Sequence, residues 1–307
     1  MINTAPIRLL RPEQWTKNLF VFLPVFFGGQ LLNVSVLLPC VAAFIAFSFA
    51  ASSVYCFNDI YDVDADKSHP VKRNRPIASG AVSVKTAYAA TVVCLLASLG
   101  TVLFVCGENA RYEILALILS YYVMNLAYCV KLKHYAVIDV VIISIGFVLR
   151  VFAGGVAAGI RCSEWMIIMT FLLAMFIAFA KRRDDVVLYL NTNVLHRQNI
   201  DGYNLEFMNQ VMTVAATIAM IAYVMYTLSP DVIDYYKSRH IYLSAIFVLT
   251  GIIRYLQVTI VDLKSGSPTK ILLRDRFIQC CIAGWIVMFL VIIYAKKIVA
   301  IFGAVAL

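Results

Sequence analysis

Nine apolar runs, most of them at or above the roughly 20 residues that a helix needs to cross a bilayer, follow one another along this chain of 307 residues. They fall near 18–33, 35–57, 84–106, 112–130, 136–159, 163–180, 207–228, 241–261 and 277–299. The first is the weakest, shortened by Pro24 and the Gly28–Gly29 pair. Such a succession leaves one class open, an all-α polytopic membrane protein of nine helices, and the composition agrees. Hydrophobic residues make up 62%, charged residues only 14%, and the mean hydropathy is +0.85, whereas soluble domains run at about half apolar and a quarter charged. The pattern predicts a single membrane domain over residues 1–307. The N-terminal "MINTAPIRLLRPEQWTKN" is polar and basic and leads into "LFVFLPVFFGG" with no small-residue cleavage pattern, so the first span is expected to be retained.

The basic residues set an orientation. With a cytoplasmic N-terminus, eighteen lysines and arginines fall in cytoplasmic segments and six on the opposite side, leaving Arg150 and Arg254 inside spans. That excess follows the positive-inside rule and predicts a plasma (inner) membrane protein with its N-terminus in the cytoplasm and its C-terminus across the bilayer. Part of the net charge of +9 is accounted for by topology in this way. The acids are not.

Those acids gather in one stretch, "FNDIYDVDADKSHPVKRNRPI" at 57–77, which packs Asp59, Asp62, Asp64 and Asp66 beside Lys67, Lys72, Arg73 and Arg75. If the second helix runs two turns past residue 57, a step of about 100° per residue puts Asp62 and Asp66 within about 60° of Asp59, and Asp64 about 140° away. Asp59, Asp62 and Asp66 then share one face over about 10.5 Å of helix. Like charges so placed repel unless a cation neutralises them. An oxygen-only set suits a hard ion such as Mg²⁺, which takes one or two carboxylates together with waters and phosphate oxygens. A solvated helix end is the competing reading. A calcium loop is excluded, since Lys67 stands where the turn glycine would be and Arg73 where the closing glutamate would be. Downstream, Lys72, Arg73 and Arg75 lie between Pro70 and Pro76, where basic side chains would hold phosphate oxygens, arginine bidentately.

Other features are plainer. Eight cysteines occur without a CxxC pair and read as small apolar residues, and four histidines show no metal-binding spacing. Arg150 lies within a span, where a charge is costly and faces a cavity or a partner. Asp139 is on the same face but about 16.5 Å away along the helix, so Arg150 is expected to anchor either a phosphate or a structural acid elsewhere, the structural role being favoured. Gly155 and Gly159, spaced as GxxxG, read as helix packing. In "KSGSPTK", Gly266 and Pro268 make either a turn or a phosphate loop, followed by Arg274 and Asp275.

"NDIYDVDAD" has the form NDxxDxxxD and resembles the first aspartate-rich motif of the UbiA superfamily of membrane prenyltransferases. The blocks "LRPEQWTKNLFVFLPVFFGG", "HPVKRNRPIASG", "AYCVKLKHYAVIDVVIISIGFVLRVFAGG", "KRRDD" and "GSPTKILLRDRF" are similar to one branch of it, the decaprenyl-phosphate phosphoribosyltransferases. The superfamily's second DxxxD motif is missing, because Leu188 and Tyr189 stand four residues after Asp184 and Asp185. The resemblance implies helices bundled around a cavity open to the cytoplasm, with Asp59, Asp62 and Asp66 as catalytic metal ligands for Mg²⁺, or Mn²⁺ in its place. It implies a substrate-binding set of Lys17, Asn18, Asn58, Lys72, Arg73, Arg75, Tyr128, Lys133, Lys181 and Arg182. Lysines snorkelling at an interface remain the alternative for Lys17 and Lys133. The substrates implied are phosphoribosyl pyrophosphate (PRPP) and a polyprenyl phosphate lipid, with no nucleic-acid partner. The alternative is a UbiA-type enzyme moving a prenyl group from prenyl diphosphate to an aromatic or other small acceptor. A transporter would need charges along a mid-membrane path, and only Arg150 and Arg254 lie well inside spans.

Overall fold

The computed structural model describes residues 5–68, 72–105, 107–192, 200–263, 271 and 274–305. Every regular element in them is helical. Among the described residues, eight helices are long and apolar enough to cross a membrane, and each coincides with one of the apolar runs from the second to the ninth. The chain divides into two compact units, Met1–Cys162 and Ser163–Leu307.

In the first unit a short helix α1 (Ala5–Leu10) leads into a 3₁₀ segment over Pro12–Phe22 and one further helix, α2 (Leu23–Phe27). The helices α3 (Val34–Tyr61), α4 (Val63–Ser68), α5 (Val84–Val105), α6 (Glu108–Val130) and α7 (Ile138–Ala158) follow. The expected first span therefore takes another form. Pro24 cannot donate to a carbonyl one turn earlier, and the chain ahead of it winds as 3₁₀ over 11 residues, far beyond the three or four that such helices usually last. At about 2 Å per residue that segment is about 22 Å long, and no α-helix of span length forms there.

Helix α3 is the centre of this unit because its buried residues are small. Ala42, Ala43, Ala46, Ser48, Ala50, Ala51, Ser52 and Ser53 are all buried, which lets neighbouring backbones approach closely. Its serines tie the neighbours down. Ser53 donates to the Thr91 carbonyl at 2.7 Å, Ser52 to the Leu10 carbonyl at 2.8 Å, and Ser98 of α5 donates to the Ala46 carbonyl at 2.8 Å. The 3₁₀ segment is held the same way, with Trp15 Nε1 donating to Ser52 at 3.0 Å and Asn18 Nδ2 to Ser48 at 2.9 Å.

Arg150 locks the arrangement. Its Nε donates to Asn18 Oδ1 at 2.6 Å, Nη1 to the Gly146 carbonyl at 2.6 Å and Nη2 to the Tyr121 hydroxyl at 3.2 Å. The rings of Phe47, Tyr121 and Phe147 surround the guanidinium, 4.7–5.7 Å from their centroids. The charge is thus held by aromatic faces and neutral acceptors. Asp139 is buried in the first turn of α7 and does not serve it. The glycine assignment also changes. Gly159 is a left-handed C-cap (φ 64°), and Gly155 closes against Ile160 and Cys162 just beyond its own helix. The glycine that admits another element is Gly154, against the backbone of Val21.

The second unit comprises α8 (Glu164–Thr192), α9 (Leu205–Leu228), α10 (Pro230–Tyr236), α11 (Ala245–Ile260) and α12 (Arg276–Val305). Asn204 caps α9, its side chain accepting from Phe207 N–H at 2.7 Å. Helix α8 runs well past the expected end at residue 180, which carries Lys181, Arg182 and Arg183 onto it. Arg183 is buried and ties α8 to α9 through Asn209 at 2.7 Å and to α11 through the Thr259 carbonyl at 2.7 Å. Arg254 pairs with Asp275 at 2.8 Å, and that guanidinium holds the Asp275 carboxyl below its usual range. The stretch 264–270, with its proposed phosphate loop, lies outside the described residues, as do His69 and Pro70.

Candidate active site

The aspartate-rich stretch is not one continuous helix. α3 ends at Tyr61, Asp62 leaves α geometry (φ −93°, ψ 7°), and α4 begins at Val63. The break is narrow, since Asp62 N–H still donates to the Asn58 carbonyl at 2.9 Å and Asp66 N–H to the Asp62 carbonyl at 2.8 Å. Spacing through the acids therefore stays close to helical. Asp59 and Asp66 are buried, while the side chain of Asp64 is 90% exposed and, among the described residues, pairs only with Lys67, at 3.0 Å.

Each inward acid meets at least one base, and Arg75 is shared by two of them. Asp59 Oδ1 accepts from Arg11 Nη2 at 2.5 Å and from Arg75 Nη1 at 3.2 Å, and the same Nη1 donates to Asp66 Oδ2 at 2.6 Å. Arg75 thereby holds oxygens of Asp59 and Asp66 less than about 6 Å apart. Asp62 is drawn aside onto Lys133, which lies 2.5 Å from its Oδ1 and 5.2 Å from the centre of the Tyr61 ring. Burial raises the Asp66 carboxyl above its ordinary range, against the pull of the Arg75 charge beside it.

Among the described residues no three His, Cys, Asp or Glu side chains are gathered to hold a metal. The expected face of three carboxylates is divided between two sets of bases, and the physical reason is the charge repulsion that a cation would otherwise relieve. One observation bears on such a cation. Asp59 Oδ2 is buried and has no hydrogen-bond partner, and a buried carboxylate oxygen left bare is costly. That free oxygen, with Asp66 close by, fits an ion that takes one or two carboxylates and fills its remaining positions with water and phosphate.

The other expected site residues are distributed unevenly. Lys72 and Arg75 stand on the return from α4, and Arg73 beside them is exposed. Asn58 supplies its carbonyl to the helix joint. Tyr128 packs at the edge of the apolar cluster around α3. Asn18 is fully buried and committed to Arg150 and Ser48. Lys17 is half-buried, and burial, then the charges of Arg150 and Arg11, lower its amine to about 8. Lys181 and Arg182 belong to the second unit, Lys181 exposed, Arg182 buried and 3.5 Å from Asp185. Arg11 was not among the expected site residues. It is 48 positions from Asp59, and in the sequence it is one more base ahead of the first apolar run, with no local signal to single it out.

Known proteins similar to this chain span most of its length and share its fold. The family model described as the UbiA prenyltransferase family matches residues 19–280. Decaprenyl-phosphate phosphoribosyltransferase of Corynebacterium glutamicum is 32% identical over 297 residues, covering 94% of this chain and 86% of that protein. The protein of that name from Mycobacterium tuberculosis is 35% identical over 285 residues, 91% of each chain. Among solved structures, a UbiA homolog from Archaeoglobus fulgidus bound to DMAPP and Mg²⁺ superposes with a TM-score of 0.68 at 20% identity, covering 94% of this chain and 99% of that one. A digeranylgeranylglyceryl phosphate synthase superposes with a TM-score of 0.65 at 17% identity, covering 95% and 99%. With its eight apolar helices, its acid–base cluster after α3 and these relatives, the chain belongs to the UbiA prenyltransferase family.

Proposed function

We propose that this protein transfers the 5-phosphoribosyl group of PRPP to a polyprenyl phosphate, releasing pyrophosphate, as the names of its relatives suggest. One observation carries the reading: Arg75 bridges Asp59 and Asp66 while a second oxygen of Asp59 stays bare. Acids and bases alternating around one buried carboxylate suit a ligand that is itself both metal and phosphate.

Asp59 and Asp66, with Asp62 alongside, would hold Mg²⁺, or Mn²⁺ in its place. When bound, the cation would neutralise charge growing on the leaving pyrophosphate. Arg75, Lys72 and Lys133 would orient the phosphates of PRPP. The acceptor phosphate is already an anion, so its oxygen attacks the ribosyl carbon without a general base, from the face opposite the departing pyrophosphate. Catalysis is then positioning and electrostatics. Since PRPP is cytosolic, the site and the N-terminus are assigned to the cytoplasmic side of the plasma membrane, and the lipid tail enters from the bilayer. We treat the two units as one catalytic domain.

The deciding measurement is a substrate-pair assay on membranes containing the protein. Labelled PRPP with polyprenyl phosphate should give a phosphoribosyl lipid, and EDTA should abolish it. Product from prenyl diphosphate and 4-hydroxybenzoate instead would overturn the assignment, and full turnover in EDTA would remove the metal from it.

Lys17 gives a pH signature. Its amine, lowered to about 8, is charged below that pH and neutral above it. If it binds a substrate phosphate, the apparent KM for that substrate should rise from pH 8 to pH 9. Lys17→Met should show a raised KM already at pH 7 and no further rise; an unchanged KM at both pH values would return Lys17 to an interfacial role.

A further inference from the structure

Arg11 is held in a conformation that its sequence does not favour. Its backbone is left-handed (φ 50°, ψ 59°), a region that side chains other than glycine and asparagine seldom enter. The residue after it is Pro12, and the position before a proline is normally extended. That joint turns the guanidinium onto Asp59 at 2.5 Å and over the Tyr55 ring, 5.1 Å from its centre. Asp59 is already held by Arg75, so Arg11 is a second cation on a carboxylate whose other oxygen is bare. The group remains one-fifth exposed, and only one of its N–H donors is engaged with Asp59.

We propose that Arg11 is a resident counter-ion of the donor site: it neutralises Asp59 while the site is empty, and passes to an oxygen of the incoming pyrophosphate group when a divalent cation takes Asp59. This rests on the function proposed above. The exchange balances charge without a covalent step. Arg11 and Arg75 pair with Asp59 and Asp66, two cations on two anions. Adding a divalent cation alone places new positive charge beside both guanidiniums, whereas adding it with a pyrophosphate supplies the anion that Arg11 then needs. Arg11 should therefore oppose binding of the bare cation and favour binding of the cation with PRPP. A residue that only props up the fold cannot produce those opposite signs.

The test uses the full-length protein in detergent, with Mn²⁺ as the probe read by electron paramagnetic resonance, alone and with PRPP. Arg11→Asn removes the charge and keeps a side chain that tolerates the left-handed backbone; Arg11→Lys keeps the charge. Arg11→Asn should bind Mn²⁺ alone about three- to tenfold more tightly, since a neighbouring positive charge is gone. It should bind PRPP in the presence of Mn²⁺ about tenfold or more weakly, for loss of a charge-assisted phosphate contact. Arg11→Lys should lie between it and the parent on both. Weakening of both affinities, or no change in either, overturns the proposal. Asp59→Asn separates the two levels. If it leaves Mn²⁺ binding intact, the metal-site reading itself fails; if it abolishes Mn²⁺ binding while Arg11→Asn moves nothing, only the role of Arg11 fails.

Discussion

Asp59→Ala, Asp62→Ala and Asp66→Ala should each lower turnover by about a hundredfold or more, the scale of losing one preorganised electrostatic contact, while Asp64→Ala stays within a few-fold of the parent. Four acids within eight residues of one another are chemically equivalent in the sequence; the fold separates them. Asp59 and Asp66 are buried on either side of Arg75. Removing either leaves a half-buried guanidinium without part of its counter-charge and takes away an oxygen proposed for the cation. Asp62 sits against Lys133, so its loss would leave the amine proposed to orient phosphate without the carboxylate that positions it. Among the described residues Asp64 pairs only with Lys67, three residues along in the exposed turn, and an exposed pair of this kind contributes about 0–1 kcal/mol. The comparison needs matched amounts of each variant in membranes and turnover measured at saturating Mg²⁺. An Asp64→Ala enzyme as inactive as Asp59→Ala would mean that the exposed acid reaches the substrate, and the assignment of roles around Arg75 would fail.

The distinction between Asp64 and its neighbours was legible in the sequence because it depends on local geometry, the step of about 100° per residue. The i→i−4 bonds that thread the joint at Asp62 preserve it even though the helix is broken there. What local geometry does not contain is the partner of each acid. Arg75 follows Asp66 by nine residues and Lys133 follows Asp62 by 71. Arg11 precedes Asp59 by 48, and all three pairings depend on how distant elements pack. The same limit explains the first span. Hydropathy identifies an apolar stretch, but 3₁₀ and α windings of one stretch have the same composition, and the winding here is held by contacts from Ser48, Ser52 and Arg150. Arg150 shows both sides. Its burial in a span marked it as unusual, and a role in holding structure was favoured, yet its cage of three aromatic rings comes from three different helices.

Gly154→Ala should be the most damaging single methyl in the first unit. A Cβ at this position would lie 1.8 Å from the Val21 carbonyl oxygen and 2.7 Å from its carbon. Both atoms are backbone, so no rotamer change relieves the clash, and α7 and the 3₁₀ segment must move apart by more than an ångström. Overpacking usually costs about 1–3 kcal/mol, and a backbone-to-backbone collision belongs at the upper end, equivalent to a fall of about 5 °C in Tm for a chain of this size. The functional effect should be larger than the loss of stability. Val21 belongs to the segment that carries Lys17 and Asn18 and begins just after Arg11. Displacing it would pull Asn18 from Arg150 and shift the joint that aims Arg11 at Asp59. Gly100→Ala is the control, since a Cβ there meets nothing within 4 Å and a mid-helix alanine gains about 1 kcal/mol over glycine. Thermal unfolding in detergent, followed by turnover of the folded fraction, should show Gly154→Ala falling in both and Gly100→Ala in neither. An active, equally stable Gly154→Ala would mean that the 3₁₀ segment yields freely at Val21, and its part in fixing the site would have to be given up.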